Sequence, residues 1–566
     1  MFPPGGTKLH AGFRGKRAQR EITVSPLIQR IRQSTIGSYA PIETPFGSRP
    51  LVYADYTASG RALTFVEDFI RDRVLPYYAN THTETTFTGA QITALREQAR
   101  NIIRSAVGGG PRDKVIFCGS GATSAINKLV DILDLRSQQP AGEKPAARPV
   151  VFIGPYEHHS NELPWRESNV DVVTIPLDQS GLLDLGALKL ALDEHEDRPL
   201  KIGSFSAASN VTGLMTDVQS VTALLKRHGA LAFWDYAAAA PYVPIDMNAE
   251  LPLDAVFISP HKFVGGPGTP GVLVVKEHLI NNAVPTTVGG GTVRYVSPEH
   301  HSYVDDPERR EEGGTPAIVE SIRAGLAFKI QQDVGFEEIT QRESSFIRRA
   351  IQRLSRCDNL EILGPTEAPR LAILSLRFKH AERDLHYGYV VSVLNDLFGI
   401  QVRGGCSCAG PYGHSLLGMD MPYSLAIEDQ IAAGHVIFRP GWVRLNFNYF
   451  ISEDEFEYLL RAIELVAEHG WCLLPHYRFD ATTGLWQVKG AERFLPVDLD
   501  QGLYYPGVGA SAVANNWDWN DLLQQGERIM LRESAKAAGS DAPLPQHPES
   551  LRWFALSDDL GIDRPL

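Results

Sequence analysis

Five short segments of this 566-residue chain carry side chains suited to chemistry: Gly119-Ser120-Gly121-Ala122-Thr123, Glu157-His158-His159, Ser209-Asn210, Trp234-Asp235-Tyr236 and Ser259-Pro260-His261-Lys262. A lysine forms a Schiff base with a carbonyl compound when its surroundings make the ammonium easy to deprotonate. A lone lysine after a strand is usually a solvated loop residue. Lys262 differs, because Ser259 and His261 flank it and the glycine-rich GGPGTPG run follows, which allows close backbone approach. A carboxylate at Asp235 could pair with a protonated ring nitrogen and strengthen that ring as an electron sink; taken alone, it more often caps the next helix. The glycine loop leaves N–H groups free for a phosphate at a helix start, although such a loop is about as often a tight turn. It lacks the Walker lysine and the dinucleotide spacing, which disfavours ATP and NAD. His158 could stack on a flat ring and move protons, or belong to a surface pair. No Cys or carboxylate stands at ligand spacing from it, so no metal is expected. Asn210 could donate to a ring hydroxyl or simply shape a turn.

All five segments follow predicted strands. VIFCGSG (115–121), PVVFIGP (149–155), LKIGSFSAAS (200–209), ALAFWD (230–235) and LDAVFIS (253–259) read as buried strands, mostly separated by helical stretches such as ATSAINKLVDIL. Alternating β and α segments imply a mostly parallel sheet covered on both faces. In such a sheet the loops at the carboxyl ends converge on one crevice. Joint placement on one edge is far stronger evidence than any single segment. TPAIVESIRAGLAF (315–328) opens a long helix, with Thr315 read as its N-cap and Pro316 in the first turn. From about 330 to 470 a smaller α/β unit follows. Its strands are RLAILSLRF (370–378), IQVR (400–403) and WVRLNFNYF (442–450), and its helix over 453–469 is capped by Ser452. The last ninety residues read as an appended hairpin and helix around HYRFDATTGLWQV. Residues 137–149 and 539–548 read as loop and Pro-rich connector, and the first twenty as a basic, glycine-rich arm without the apolar stretch of a secretory signal.

A net charge of −13 argues against nucleic acid as the main partner. No apolar run is long enough to span a membrane. Five cysteines in 566 residues make a disulfide framework improbable, so a reducing cytoplasm is the default expectation.

Read in order, GSGATSAINKLV, EHHSNELPW, SNVTG, WDYAAAAPYVPIDM, SPHKFVGGPGTPGVLVV, GGGTV, EGGTPAIVESIRAG, VRGGCSCAGP and VRLNFNYF resemble the class V aminotransferase family of fold-type I enzymes. The resemblance covers roughly residues 50–470 and is nearest to the cysteine desulfurase and selenocysteine lyase branch. It implies an α/β fold: a large domain on a mostly parallel seven-stranded sheet plus a smaller C-terminal α/β domain. The expected division is an N-terminal arm (1–50), a cofactor-binding large domain (51–330), a small domain (331–472) with the N-terminal segment contributing, and an extension (473–566) without an assigned role.

The same resemblance implies pyridoxal 5'-phosphate held as a Schiff base on Lys262. Asp235 would partner the pyridine nitrogen, His158 would stack on the ring, and Asn210 would reach its hydroxyl. Thr123 and the Ala122 backbone would bind phosphate with Ser259 and His261, and Thr315 would reach the phosphate of a neighbouring subunit in a homodimer. Arg444 would clamp the carboxylate of a small amino acid, with Arg403 shaping the loop before Cys408. Cys408 aligns with the persulfide-forming nucleophile, which implies sulfur transfer from L-cysteine, release of alanine and a sulfur-acceptor protein as partner. Three positions depart from the family pattern: Ala238 replaces a glutamine, Ala122 replaces a second phosphate-loop hydroxyl, and Cys406-Ser407 replace two histidines. The alternatives are a transaminase, epimerase or β-lyase on the same apparatus without a catalytic cysteine, a non-catalytic interaction protein, or a nucleotide binder using GSGAT. An intact Lys262 and Asp235 speak against the interaction protein, and the missing phosphate-contacting lysine speaks against the nucleotide binder.

Overall fold

The computed structural model describes residues 24–81, 83–136, 148–481, 483–491, 499, 517–534 and 549–560. Residues 1–23 of the N-terminal arm, most of the 137–149 loop and the 539–548 connector lie outside them.

Seven strands form the central sheet: β1 (Asp113–Cys118), β2 (Val150–Ile153), β3 (Asp171–Thr174), β4 (Lys201–Ser206), β5 (Leu231–Asp235), β6 (Ala255–Ile258) and β7 (Gly271–Lys276). Their order is β1-β7-β6-β5-β4-β2-β3. Every residue of β2 and β6 is buried, as two-sided coverage of a parallel sheet requires. Only β7 runs antiparallel, pairing with both β1 and β6. The five chemistry-bearing segments therefore leave the sheet at one edge, as the strand pattern implies. The β7 strand itself reads only as part of the lysine motif in the sequence, and its opening glycine explains the placement. A Cβ on Gly271 would stand 1.9 Å from the Gly121 carbonyl oxygen, so the glycine loop and β7 meet backbone to backbone.

The second sheet contains β8 (Leu360–Ile362), β9 (Ile373–His380), β10 (Arg403–Gly405) and β11 (Trp442–Asn446), in the order β8-β9-β11-β10. The predicted IQVR strand is split. Ile400–Gln401 pairs in parallel with Val52–Tyr53, whereas Arg403–Gly405 turns onto β11. This stitches the chain's first strands to the second sheet and carries Asp55 to the crevice. Ser452 caps the Glu453–His469 helix as expected, accepting from the Glu455 N–H at 3.1 Å. The expected Thr315 cap is wrong: the helix spans Ile318–Val334 with Ala317 as N-cap and no side-chain cap bond. The preceding Gly313-Gly314 pair, with Gly314 at φ +87°, and Thr315 instead belong to the loop feeding it.

The C-terminal hairpin, Tyr477–Asp480 with Leu485–Val488, and the Trp519–Ser534 helix are present. They pack on the second sheet's core through Trp486, Leu522 and Met530. Among the described residues no helix is long and apolar enough to cross a membrane.

The turn bearing Lys262 is gripped by backbone on two sides. The Gly60 N–H donates to the His261 carbonyl at 2.7 Å. A Cβ on Gly60 would lie 1.9 Å from the Phe263 carbonyl oxygen, and one on Gly266 would lie 2.0 Å from that of Pro260. Gly60→Ala should cost about 1–3 kcal/mol, the usual range for overpacking. Thermal unfolding followed by circular dichroism should show a melting temperature lower by several degrees; an unchanged value would mean that this contact does not hold the turn.

Candidate active site

A cavity of about 230 Å³ opens at the carboxyl edge of the central sheet. Its walls include Ala122, Thr123, His158, Asn210, Asp235, Ser259, His261, Lys262, Arg403, Cys408 and Arg444. Of the twelve residues expected from the sequence, only Thr315 lies elsewhere. It is exposed beside a neighbouring cavity shared with Gly119, Gly121 and His261.

Asp235 ends β5 and Lys262 follows β6, and these strands pair in parallel with Asp235 opposite Phe257. Asp235 is 4% exposed; its Oδ1 accepts the Ala237 N–H at 2.8 Å. Burial pushes its carboxyl up, opposed by that N–H and by Lys262. Burial pushes the Lys262 ammonium down to about 8, although Asp235 works against the shift. The amine therefore titrates near neutrality, which suits a group that must both lose and return a proton.

The glycine loop enters its helix at Gly121, where φ is +57° and a Cβ would stand 2.9 Å from both His261 and Ser259 side-chain atoms. The Ala122 N–H donates to Ser259 Oγ at 2.9 Å, and Thr123 Oγ1 meets Ser160 Oγ at 2.6 Å. The first-turn N–H groups of a helix lack intrahelical acceptors, so this cradle fits a phosphate. His158 Nδ1 receives the Ser160 N–H at 3.1 Å, and burial drives the imidazole down to about 3. Burial likewise holds His261 down at about 4. Both rings are neutral near pH 7, and for His158 that makes a flat, uncharged wall suited to an aromatic ring. Polar atoms without protein partners complete the fit: Thr57 Oγ1 and Arg444 Nε are buried and unpaired among the described residues, and both residues line the cavity.

Arg444 on β11 stands directly opposite Arg403 on β10. Like charges opposed across strands repel, and Asp55 resolves the repulsion. Its Oδ1 accepts from Arg444 and its Oδ2 from Arg403, both at 3.0 Å. Arg444 also donates to the Asn210 carbonyl at 3.1 Å. The Asn210 Nδ2 donates one of its two N–H groups to the Ser407 carbonyl at 2.8 Å.

The cysteine loop is a tight turn, with the Ala409 N–H donating to the Cys406 carbonyl at 3.3 Å. Its two central residues, Ser407 and Cys408, lie at φ +54° and +56°. Such conformations cost about 1–2 kcal/mol per non-glycine residue. They persist where surrounding contacts over-determine them, and the anchors here are identifiable. The His159 N–H donates to the Cys408 carbonyl at 2.8 Å, and the Gly410 N–H donates to His159 Nε2 at 3.0 Å. Cys408 is exposed into the same cavity as Lys262.

Sequence reasoning missed Asp55, Thr57 and the anchoring role of His159. Asp55 comes just after a short strand, in YADYTASG, as Asp235 ends one in AFWDYA, and that likeness was the available signal. It also missed Glu157, a buried carboxyl that accepts from Ser206 Oγ at 2.6 Å and Asn161 Nδ2 at 2.7 Å and so ties the histidine loop to β4.

An Aminotransferase class-V family model matches residues 52–459. A probable cysteine desulfurase of Halalkalibacterium halodurans is 30% identical over 366 residues, covering 64% of this chain and 85% of that protein. A probable cysteine desulfurase of Streptomyces coelicolor is 31% identical over 363 residues, covering 64% and 84%. Among solved structures, the apo cysteine desulfurase of Thermococcus onnurineus superposes with a TM-score of 0.61 at 24% identity, covering 74% of this chain and 95% of that one, which shows a shared fold.

The Lys262 amine should titrate well below an ordinary lysine. Competitive labelling of the apoprotein with acetic anhydride across pH, read by peptide mass spectrometry, should give a half-point for Lys262 near 8. Because the free amine is the reactive form, labelling should rise with pH through that value and level off above it. A half-point near that of solvated lysines would contradict the buried placement.

Proposed function

The chain belongs to the class V aminotransferase family, and from that premise we propose that it is a pyridoxal-phosphate-dependent cysteine desulfurase of fold-type I architecture, acting as a homodimer that hands sulfur to an acceptor protein. The observation that carries this reading is the placement of Cys408 and Lys262 on the walls of one cavity, with Arg444 between the two sheets as a carboxylate site. Relatives that carry the desulfurase name, matched over 84–85% of their own length, support it.

In this reading Lys262 would hold the cofactor, Asp235 its ring nitrogen and His158 its face. The cradle of Ala122, Thr123, Ser259 and His261 would hold its phosphate, completed by Thr315 of a second copy. Bound pyridoxal phosphate supplies an electron sink for negative charge developing at the substrate's α-carbon. The rest falls to the protein's own side chains. Arg444 takes the carboxylate of L-cysteine, a pairing favoured by the guanidinium fork, while Asp55 releases part of its hold on that group. Lys262 Nζ, near its titration point, removes and returns the α-proton. Cys408 Sγ attacks the substrate sulfur: the substrate C–S bond breaks, an S–S bond forms on Cys408, and the carbon skeleton leaves as alanine. The cationic Arg403 guanidinium on the same wall favours the attacking thiolate.

Ala238 lines the cavity where the family often has a glutamine, so contact with the ring oxygen would come from another group, and Asn210, which gives one N–H to the loop, keeps a second. Absorbance spectra taken before and after L-cysteine, with alanine and sulfide assayed in parallel, test the reading. Lys262→Ala should abolish the visible cofactor band. Cys408→Ala should keep the band and its response to cysteine but lose sulfur release and alanine formation. A band that shifts while Cys408→Ala keeps full turnover would move the function to a transaminase or lyase.

A further inference from the structure

We propose that Cys406 is a second sulfur-carrying thiol, which receives the sulfane sulfur from Cys408 and presents it in a separate cavity. This rests on the desulfurase reading above and extends it to the route by which sulfur leaves.

The two thiols sit on either side of one turn. Cys408 lines the Lys262 cavity. Cys406 lines a second cavity of about 250 Å³, walled mainly by apolar groups including Leu417, Ile427 and Trp442, and no residue is common to both linings. The chain thus passes from one cavity to the other within three residues, a span of at most about 7 Å of extended backbone. The conformation that achieves this is costly. Both central residues of the turn take left-handed backbone angles that glycine would adopt without strain, yet the sequence places Ser407 and Cys408 there. Holding a thiol on each side accounts for that choice at position 408.

The second cavity is equipped for an anionic sulfur. Trp442 is fully buried, and its Nε1–H has no acceptor among the described residues, although an indole N–H is usually satisfied when buried. Arg439, which is exposed, and Glu428 also line this cavity. A perthiolate on Cys406 supplies an acceptor on the wall that Trp442 shares. A purely structural Cys406 would explain the packing but would leave the indole N–H without an acceptor.

The step conserves atoms and electrons. The Cys406 thiolate attacks the outer sulfur of the Cys408 persulfide. The S–S bond to Cys408 breaks, an S–S bond to Cys406 forms, and Cys408 leaves as thiolate, taking up the proton that Cys406 gave up. No external oxidant or reductant is required, and Cys408 is restored for the next substrate while the sulfur waits outside the substrate cavity.

The test follows sulfur position through time in the full-length, cofactor-loaded protein. One equivalent of L-cysteine is added, the reaction is quenched with iodoacetamide at intervals, and fragment-ion mass spectrometry of the peptide spanning 404–411 locates the added sulfur. The expected result is sulfur on Cys408 at early times and on Cys406 later. In Cys406→Ser it should accumulate on Cys408, and steady-state sulfur release to dithiothreitol should fall several-fold. Sulfur that stays on Cys408 in the unaltered protein while alanine forms would overturn the relay and leave the desulfurase reading standing. Sulfur found on Cys406 before Cys408 would overturn the order of the two thiols. Absence of alanine altogether would remove both.

Discussion

Placing an ammonium group in a largely desolvated crevice is the condition around which the site is arranged. Lys262 can stay there only if an opposite charge is close, and Asp235 provides it because β5 and β6 are parallel neighbours that end at the same edge. The pair is unequal by design of its surroundings. Burial disfavours the charged form of each group, pushing the carboxyl up and the ammonium down, so the lysine comes within reach of neutrality. Precision then depends on backbone packing. Gly60, Gly266 and Gly271 allow carbonyl oxygens to approach at distances that any side chain would block, and this fixes the lysine turn against the glycine loop without using side chains that the site needs.

A second constraint joins the two sheets. Arg403 and Arg444 face each other across β10 and β11, an arrangement that is stable only because Asp55 bridges them. Asp55 comes from the segment after Val52–Tyr53, which is held to the second sheet's region by pairing with Ile400–Gln401. Arg444 in turn donates to Asn210 on the far side of the crevice, and Asn210 donates to Ser407. Asp55, Arg444, Asn210 and the cysteine loop are thus one hydrogen-bonded chain. A change in the hold of Asp55 on Arg444 would be felt at the loop that carries Cys408.

The central sheet was legible because two-sided burial writes continuous apolar runs into its strands, and because the chemistry follows those runs directly. Lys262, Asp235, His158 and the glycine loop could be placed on one edge from periodicity alone. What could not be read depends on tertiary contact. The antiparallel β7 is apolar like its neighbours, and direction leaves no mark on composition. The side chains of Asn210 and His159 suit a cofactor or a backbone partner, and only the position of the cysteine loop shows that Asn210 donates to a carbonyl there while His159 Nε2 accepts an N–H. Thr315-Pro316 looks like a helix start in isolation, but the helix begins after Ala317, where packing sets its first buried residue at Ile318. Asp55 was hidden because its partners lie more than three hundred residues away.

The C-terminal extension acquires a physical role from the same reasoning. Trp486 of the hairpin donates to His386 Nδ1 at 3.0 Å, and Trp553 stacks on the His386 ring at 5.2 Å. His386 is buried, and its imidazole is driven down to about 3 by that burial, so it serves as a neutral hinge between aromatic rings. Trp553 also lies nearly parallel to Tyr387, with an interplanar angle of 13°. Tyr387 in turn fills the space beside Gly404, where a Cβ would stand 2.7 Å from its ring. Gly404 is the middle residue of β10, immediately before the turn that holds both thiols. Contacts therefore run from the extension through two aromatic layers to the strand that leads into the cysteine loop. The loop's strained backbone angles are met on its other side by the anchors at Asn210 and His159, so the last described segments of the chain and the cysteine loop share one packed neighbourhood.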